Sequence, residues 1–281
     1  MLRIHSFLKK YNIIPTKVIK NKNTYIIDNK YVLRENINKD IFKKLDERSF
    51  NYYPNLISDL DDEVMIEEYI NEEDVSDEVK IEEMIDLLSL LHSKTTVYKK
   101  VDTDLKKELY EKISNDILEI FKYYDEVMTN IESKEIFMPS EFTLAKNISL
   151  VFSSIDKAKN KLDNWYNVIK DVERFRYVVN HNNLDLNHFI KSDKNYFINW
   201  SKSKVDFPIY DLYSLFMNNE LDYGLILDKY IENYPLLDYE KELLYVLLLI
   251  PPKLSELESE FDKTYEITKM IVKLEDFNVL K

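Results

Sequence analysis

The spacing of apolar residues changes period along this chain. Leu2, Ile4, Phe7, Leu8 and Tyr11 give a short amphipathic helix that Pro15 would end. Residues 17–20, 24–27 and 31–34 are rich in β-branched and aromatic side chains and predict three short strands. Asn21-Lys22-Asn23 and Asp28-Asn29-Lys30 separate them; Asn and Asp supply turn geometry in a chain whose single glycine is Gly224. A helix is expected from about Asn38 to Glu47, then a hairpin of residues 57–60 and 64–67 across Asp61-Asp62-Glu63.

Beyond Ser76 the period becomes helical. Ser76 is placed to cap a helix whose first turn carries Asp77 and Glu78, which favour the helix dipole. Ile81, Met84 or Ile85, Leu88 and Leu91 form its apolar face. Two long amphipathic helices follow, one carrying Leu105, Ile113, Ile117, Phe121 and Tyr124 and the other Leu144, Val151, Ile155, Ala158 and Leu162. Phe137-Met138-Pro139 breaks between them, so they are expected to pair antiparallel, the second capped at Ser140. Residues 178–190 then run from an apolar strand into a polar loop, and a second apolar strand leads to a turn and a helix after Pro208. The remainder is helical, with breaks at Pro235 and Pro251-Pro252 and a closing amphipathic helix over 254–274. Glu67, Glu68, Glu72, Glu73 and Asp74 form a charge run that reads as a solvated linker. The expected architecture is an α+β, two-lobed fold: a small β-rich lobe over residues 1–70 and a larger helical lobe over 71–281.

Composition narrows the function. Hydrophobic residues at 45% and aromatic residues at 13% are too many for a disordered chain. A net charge of −13, with acidic residues concentrated between Asp59 and Asp86, argues against nucleic acid as a partner. The longest apolar run, Leu243 to Ile250, is less than half the ~20 residues of a membrane span and reads as a buried helix, so no span is expected. The chain contains no cysteine, which removes thiolate metal sites and disulfides and suggests synthesis in the cytoplasm. No cluster with metal-ligand spacing stands out.

The segment that carries chemistry is Asn180-His181-Asn182-Asn183-Leu184-Asp185-Leu186-Asn187-His188, followed by Ile198-Asn199-Trp200 and by Asp206 to Leu212. Its spacing resembles the catalytic segment of the aminoglycoside phosphotransferase and choline kinase group, within the protein-kinase-like fold. There the pattern is His-x-Asp-x-x-x-x-Asn, an Ile-Asp-Trp, and an Asp-x-x-x-x-Asp-Leu. Leu87-Leu88-Ser89-Leu90-Leu91-His92 resembles a further motif of the group. The resemblance implies a bilobal kinase-like fold, with the motif-specific part confined to residues 178–215.

Residue by residue, the resemblance puts Asn183 at the base position and His188 and Asn199 at the two metal positions. An amide has no proton affinity near neutral pH, and imidazole suits Mg²⁺ poorly because that ion prefers hard oxygen ligands. Arg34 falls where the group carries a lysine that grips the nucleotide phosphates, with Glu47 as its loose partner, so a phosphate contact by Arg34 is the one cofactor-binding role expected. His181 and Asp211 match fold-supporting positions. The expectation is therefore a chain that is not an enzyme, a pseudokinase with no catalytic residue, no metal and no bound cofactor. Within the group the segment looks most like the degenerate spore-coat branch of CotS/YutH type. That implies a scaffolding role, other coat proteins as partners and a place in the spore coat. The alternative is a divergent small-molecule phosphotransferase using ATP, with Asp185 as a base in a shifted register.

Overall fold

The structure is a computed structural model, and it describes residues 7–21, 24–35, 39–60, 64–218 and 222–279. Leu2, Ile4, Asn38, the 22–23 half of the first turn and Asp61-Asp62-Glu63 lie outside those residues. The described chain divides into two compact units, one of residues 1–97 with 176–235 and the other of residues 98–175 with 236–281. The expected lobe boundary near residue 70 falls inside the first of them.

In the first unit, β1 (Val18–Asn21), β2 (Thr24–Ile27), β3 (Tyr31–Glu35) and β4 (Val64–Glu68) form an antiparallel sheet in that order. The β2–β3 turn pairs Ile27 with Tyr31 and places Asp28 and Asn29 at φ 53 and 52. Side chains other than Gly, Asn and Asp rarely enter that left-handed region, so the turn works without glycine. The Asp28 carboxylate also accepts from the backbone N–H groups of Thr16 and Lys17, at 3.0 and 2.6 Å. Leu8, Ile13, Ile27, Leu33 and Ile66 pack together as the sheet's apolar core.

The hairpin expected of residues 57–60 and 64–67 is not a strand pair. Among the described residues its first arm touches β4 through the Leu56–Glu67 bridge just before it and through Ile57 N and Ser58 N, which both donate to Ile66 O, but forms no ladder; β4 takes β3 as its ladder partner, with Arg34 opposite Met65. Glu67 is correspondingly not part of a solvated linker: strand alternation turns it inward and leaves it 1% exposed.

Helix α1 (Lys39–Glu47) buries Ile41, Phe42 and Leu45, and the Phe42 ring meets Trp200 edge-on at 6.2 Å. Helix α2 (Asp77–Thr95) is capped by Ser76, whose Oγ accepts from Val79 N. Its buried face runs through His92 to Thr95 and packs on α6 (Tyr223–Asn233). Between them run β5 (Arg174–Asn180), the hairpin of β6 (Phe189–Lys191) and β7 (Asn195–Phe197), β8 (Lys204–Asp206) and α5 (Ile209–Asn218). Strand β8 pairs antiparallel with β5 through Val178–Asp206, Val179–Val205 and Asn180–Lys204.

The second unit contains α3 (Thr103–Glu132), α4 (Pro139–Ile169), α7 (Asp238–Leu249) and α8 (Glu260–Val279). Helix α4 is its axis, packed against each of the other three. Tyr110 on α3 bonds Asp163 near the end of α4 at 2.7 Å, while Phe121 meets Phe152, as antiparallel neighbours require. Helix α4 opens at Pro139 and not on a Ser140 cap: Glu141 reaches back to Met138 N at 2.9 Å, and Ser140 Oγ instead donates to Glu260 at 2.7 Å. The closing helix begins at Glu260 and not near 254, because the stretch after Pro251-Pro252 stays irregular. No helix among the described residues is long and apolar enough to cross a membrane.

Candidate functional site

A cleft of about 680 Å³ opens in the first unit between the β1–β4 sheet and the 183–202 loops. Ile26 and Val32 from the sheet and Ile190 and Ile198 from the loops line its apolar part, with the linker at Tyr69 and Ile70 along one side. Its polar part carries Arg34, Asn183, Asn187, His188, Asn199 and Lys202. Lys202 is a cation that sequence reasoning missed; its only signal was a place three residues after Asn199 in a segment whose fold was not legible.

Two backbone features hold the 181–188 loop. Asp211, fully buried in the first turn of α5, accepts His181 N on Oδ2 at 2.8 Å and Asn182 N on Oδ1 at 2.6 Å. His92 Nε2 lies 3.1 Å from the same Oδ2, and Tyr230 Oη lies 2.6 Å from His92 Nδ1. His92 therefore joins two helices to the loop through one carboxylate. Asn182 sits at φ 55, a left-handed turn that swings Asn183 toward the cleft.

His181 is fully buried, its Nε2 donating to Ile198 O at 2.8 Å while Nδ1 has no partner. Burial pulls its imidazole down from 6.5 to about 4, with the Asp211 charge opposing the shift. The unfolded chain then binds a proton between pH 6.5 and 4 that the folded chain does not, so stability rises with pH across this window. Acidification through it is expected to cost on the order of 3 kcal/mol at this residue. In urea unfolding at pH 7 and pH 4.5, His181→Gln should lose less stability than wild type; equal losses would discard the assignment.

His188 closes the loop. Its Nδ1 lies 2.7 Å from Asn183 O and 3.3 Å from Asp185 Oδ2, while Asp185 Oδ1 accepts Asn187 N at 2.6 Å. Both Nδ1 partners are acceptors, so Nδ1 carries the hydrogen and Nε2 is the ring's acceptor. Asn199 Nδ2 donates to that Nε2 at 2.9 Å, and Asn199 Oδ1 accepts from Ser201 at 2.9 Å. Asn199 is held at φ 61 at the head of a short 3-10 turn, Trp200–Lys202, and Trp200 is buried against Phe42, Phe50 and His181.

Arg34 pairs with Glu67 at 2.6 Å, and its Nη1 lies 3.3 Å from Thr24 Oγ1; Glu47, its expected partner, is exposed at the end of α1. Burial pushes the Glu67 carboxyl above the usual range while the Arg34 guanidinium pulls it down.

The residues do not fit a divalent-ion site of the kinase kind. Mg²⁺ needs hard oxygens, and the two side chains at the metal positions spend a ring nitrogen and an amide on each other. Among the described residues no three His, Asp or Glu side chains gather to hold a metal.

No family model matches the chain, and no curated protein does. Solved structures do. The chain is similar to an aminoglycoside phosphotransferase from Alicyclobacillus acidocaldarius, with TM-score 0.70, 9% identity, and 96% of this chain and 92% of that one covered. It is similar to spectinomycin phosphotransferase in an AMP-bound complex, with TM-score 0.66, 13% identity and coverage of 100% and 98%. A glucosamine kinase superposes with TM-score 0.51, 8% identity and coverage of 95% and 76%. These likenesses correct the expectation that the chain is not an enzyme: the fold it shares is that of working phosphotransferases and kinases. The chain has the protein-kinase-like fold of the aminoglycoside phosphotransferases, a small β-sheet region followed by a larger helical one.

Proposed function

We propose that the chain is a divergent phosphotransferase, with ATP as donor and a hydroxyl-bearing small molecule as acceptor. The cleft carries this reading: an apolar slot beside the linker is continuous with a polar end that holds Arg34, Lys202 and the Asp185–His188–Asn199 chain. Its place beside the sheet suits a nucleotide, and the similar spectinomycin phosphotransferase was solved with AMP.

The proton acceptor is His188, not the residue at position 183. The acceptor hydroxyl displaces the Asn199 amide from Nε2 and gives its proton there. The hydroxyl oxygen bonds the terminal phosphorus, and ADP leaves with the electron pair of the broken P–O bond. Asp185 and the Asn183 carbonyl, both on Nδ1, hold the ring in the required tautomer. An Asn at position 183 therefore does not by itself remove the base.

The test is transfer of labelled γ-phosphate from ATP to a panel of small-molecule alcohols, with ATP-dependent thermal stabilisation beside it. At a hundredfold excess over Kd, ATP should stabilise the native state by about 2.7 kcal/mol. Neither transfer nor stabilisation in correctly folded protein would end the proposal. The likeness to the spore-coat branch rests on the loop residues alone and proposes a setting; expression confined to sporulation supports it, and constitutive expression removes it.

A further inference from the structure

The two side chains that would hold a divalent ion hold each other. Asn199 Nδ2 and His188 Nε2 are 2.9 Å apart, and the one hard oxygen of the pair, Asn199 Oδ1, is taken by the Ser201 hydroxyl. Asp185, the nearest carboxylate in the loop, is likewise engaged with Asn187 N and the His188 ring. The polar end of the cleft also carries Lys202, the Asn187 side chain, the Asn183 amide, which lies 3.4 Å from Asn199 O, and Arg34, whose Nε is paired with Glu67 and whose Nη1 lies 3.3 Å from Thr24 Oγ1.

Three of the four carboxylates that share the lining already have donors, one of them Arg34 itself. Glu67 is paired with Arg34, Glu72 with Lys80, and Glu68 accepts from Asn55 at 2.7 Å; Glu35 completes them. A kinase-type site meets phosphate charge with protein-held metal. This cleft presents the charge directly, in a form that recognises phosphate oxygens without a mediating ion.

We propose that the cleft binds the phosphates of its nucleotide through Arg34, Lys202 and loop amides, with no divalent ion held by the protein. This rests on the proposed nucleotide cleft and adds how its anion is met. The probe is ATP, measured by calorimetry and thermal shift on the full chain, once in EDTA and once with Mg²⁺. Equal affinity in the two buffers is the expected result. Lys202→Glu should then weaken ATP binding about tenfold in both alike. Asn199→Asp, which restores a carboxylate at the metal position, should make binding depend on Mg²⁺. ATP binding by the wild type that appears only with Mg²⁺, or Mn²⁺ held by the protein in the absence of nucleotide, overturns the inference and leaves the nucleotide cleft standing. Failure to bind ATP in either buffer, with the fold intact by circular dichroism, overturns both.

Discussion

Asp211→Ala is expected to destabilise the chain by about 3–5 kcal/mol, the cost of removing one partner from a buried charged network. The carboxylate has no exposure and accepts the backbone N–H groups of two successive loop residues, His181 and Asn182. Its removal leaves both without an acceptor, His181 N in a fully buried place and Asn182 N in a half-buried one, and a buried orphan costs about 1–3 kcal/mol. His92 loses the partner of Nε2 as well, and with it the tie between α2 and α5. Asp211→Asn should cost less, since one oxygen still accepts while the new amide opposes a donor. Urea unfolding reads both, and a loss below about 1 kcal/mol for the alanine variant would show that the loop does not depend on this carboxylate.

The same network shows what a sequence can disclose. The resemblance put Asp211 and His181 at fold-supporting positions, yet His92 joined them only once α2 and α5 were packed, since 119 residues separate His92 from Asp211. The three sheet strands were legible because β-branched runs alternate with Asn and Asp turns, and the turn at Asp28 and Asn29 is left-handed as such residues allow. The pairing of β4 was not, because β4 makes its ladder with β3 and not with the run that precedes it in sequence. Glu67 was misread for the same reason. Within a charge run nothing distinguishes the residue that strand alternation turns inward.

The candidate site was half legible. Position-matching located Asn183, His188 and Asn199, and the structure does place all three on one cleft. It could not show that His188 and Asn199 bond one another, nor that Asp185 lies against the ring, because those contacts depend on the 3-10 turn over Leu186–His188 and the left-handed backbone at Asn199. The expectation of inactivity judged each residue against a role fixed by position. Asn183 was judged as a failed base, while the imidazole capable of replacing it was judged only as a poor metal ligand.

That imidazole gives the largest expected effect on activity. His188→Asn should lower kcat with the acceptor substrate by about 10²–10⁴-fold, the usual worth of a positioned proton acceptor. In barrier terms this is about 3–5 kcal/mol. Affinity for ATP should change little, because the phosphate contacts are assigned to Arg34, Lys202 and the loop amides. Asp185→Asn should lower kcat by less: Asn183 O still receives the Nδ1 hydrogen at 2.7 Å, so the ring keeps its tautomer and loses one of its two restraints. The pattern across the pair separates a catalytic imidazole from a structural one. A merely structural His188 would lower stability and raise the KM for both substrates together, whereas a proton acceptor lowers kcat alone. His188→Asn with unchanged kcat, in protein that unfolds at the same urea concentration as wild type, would take the proton-acceptor role away from His188.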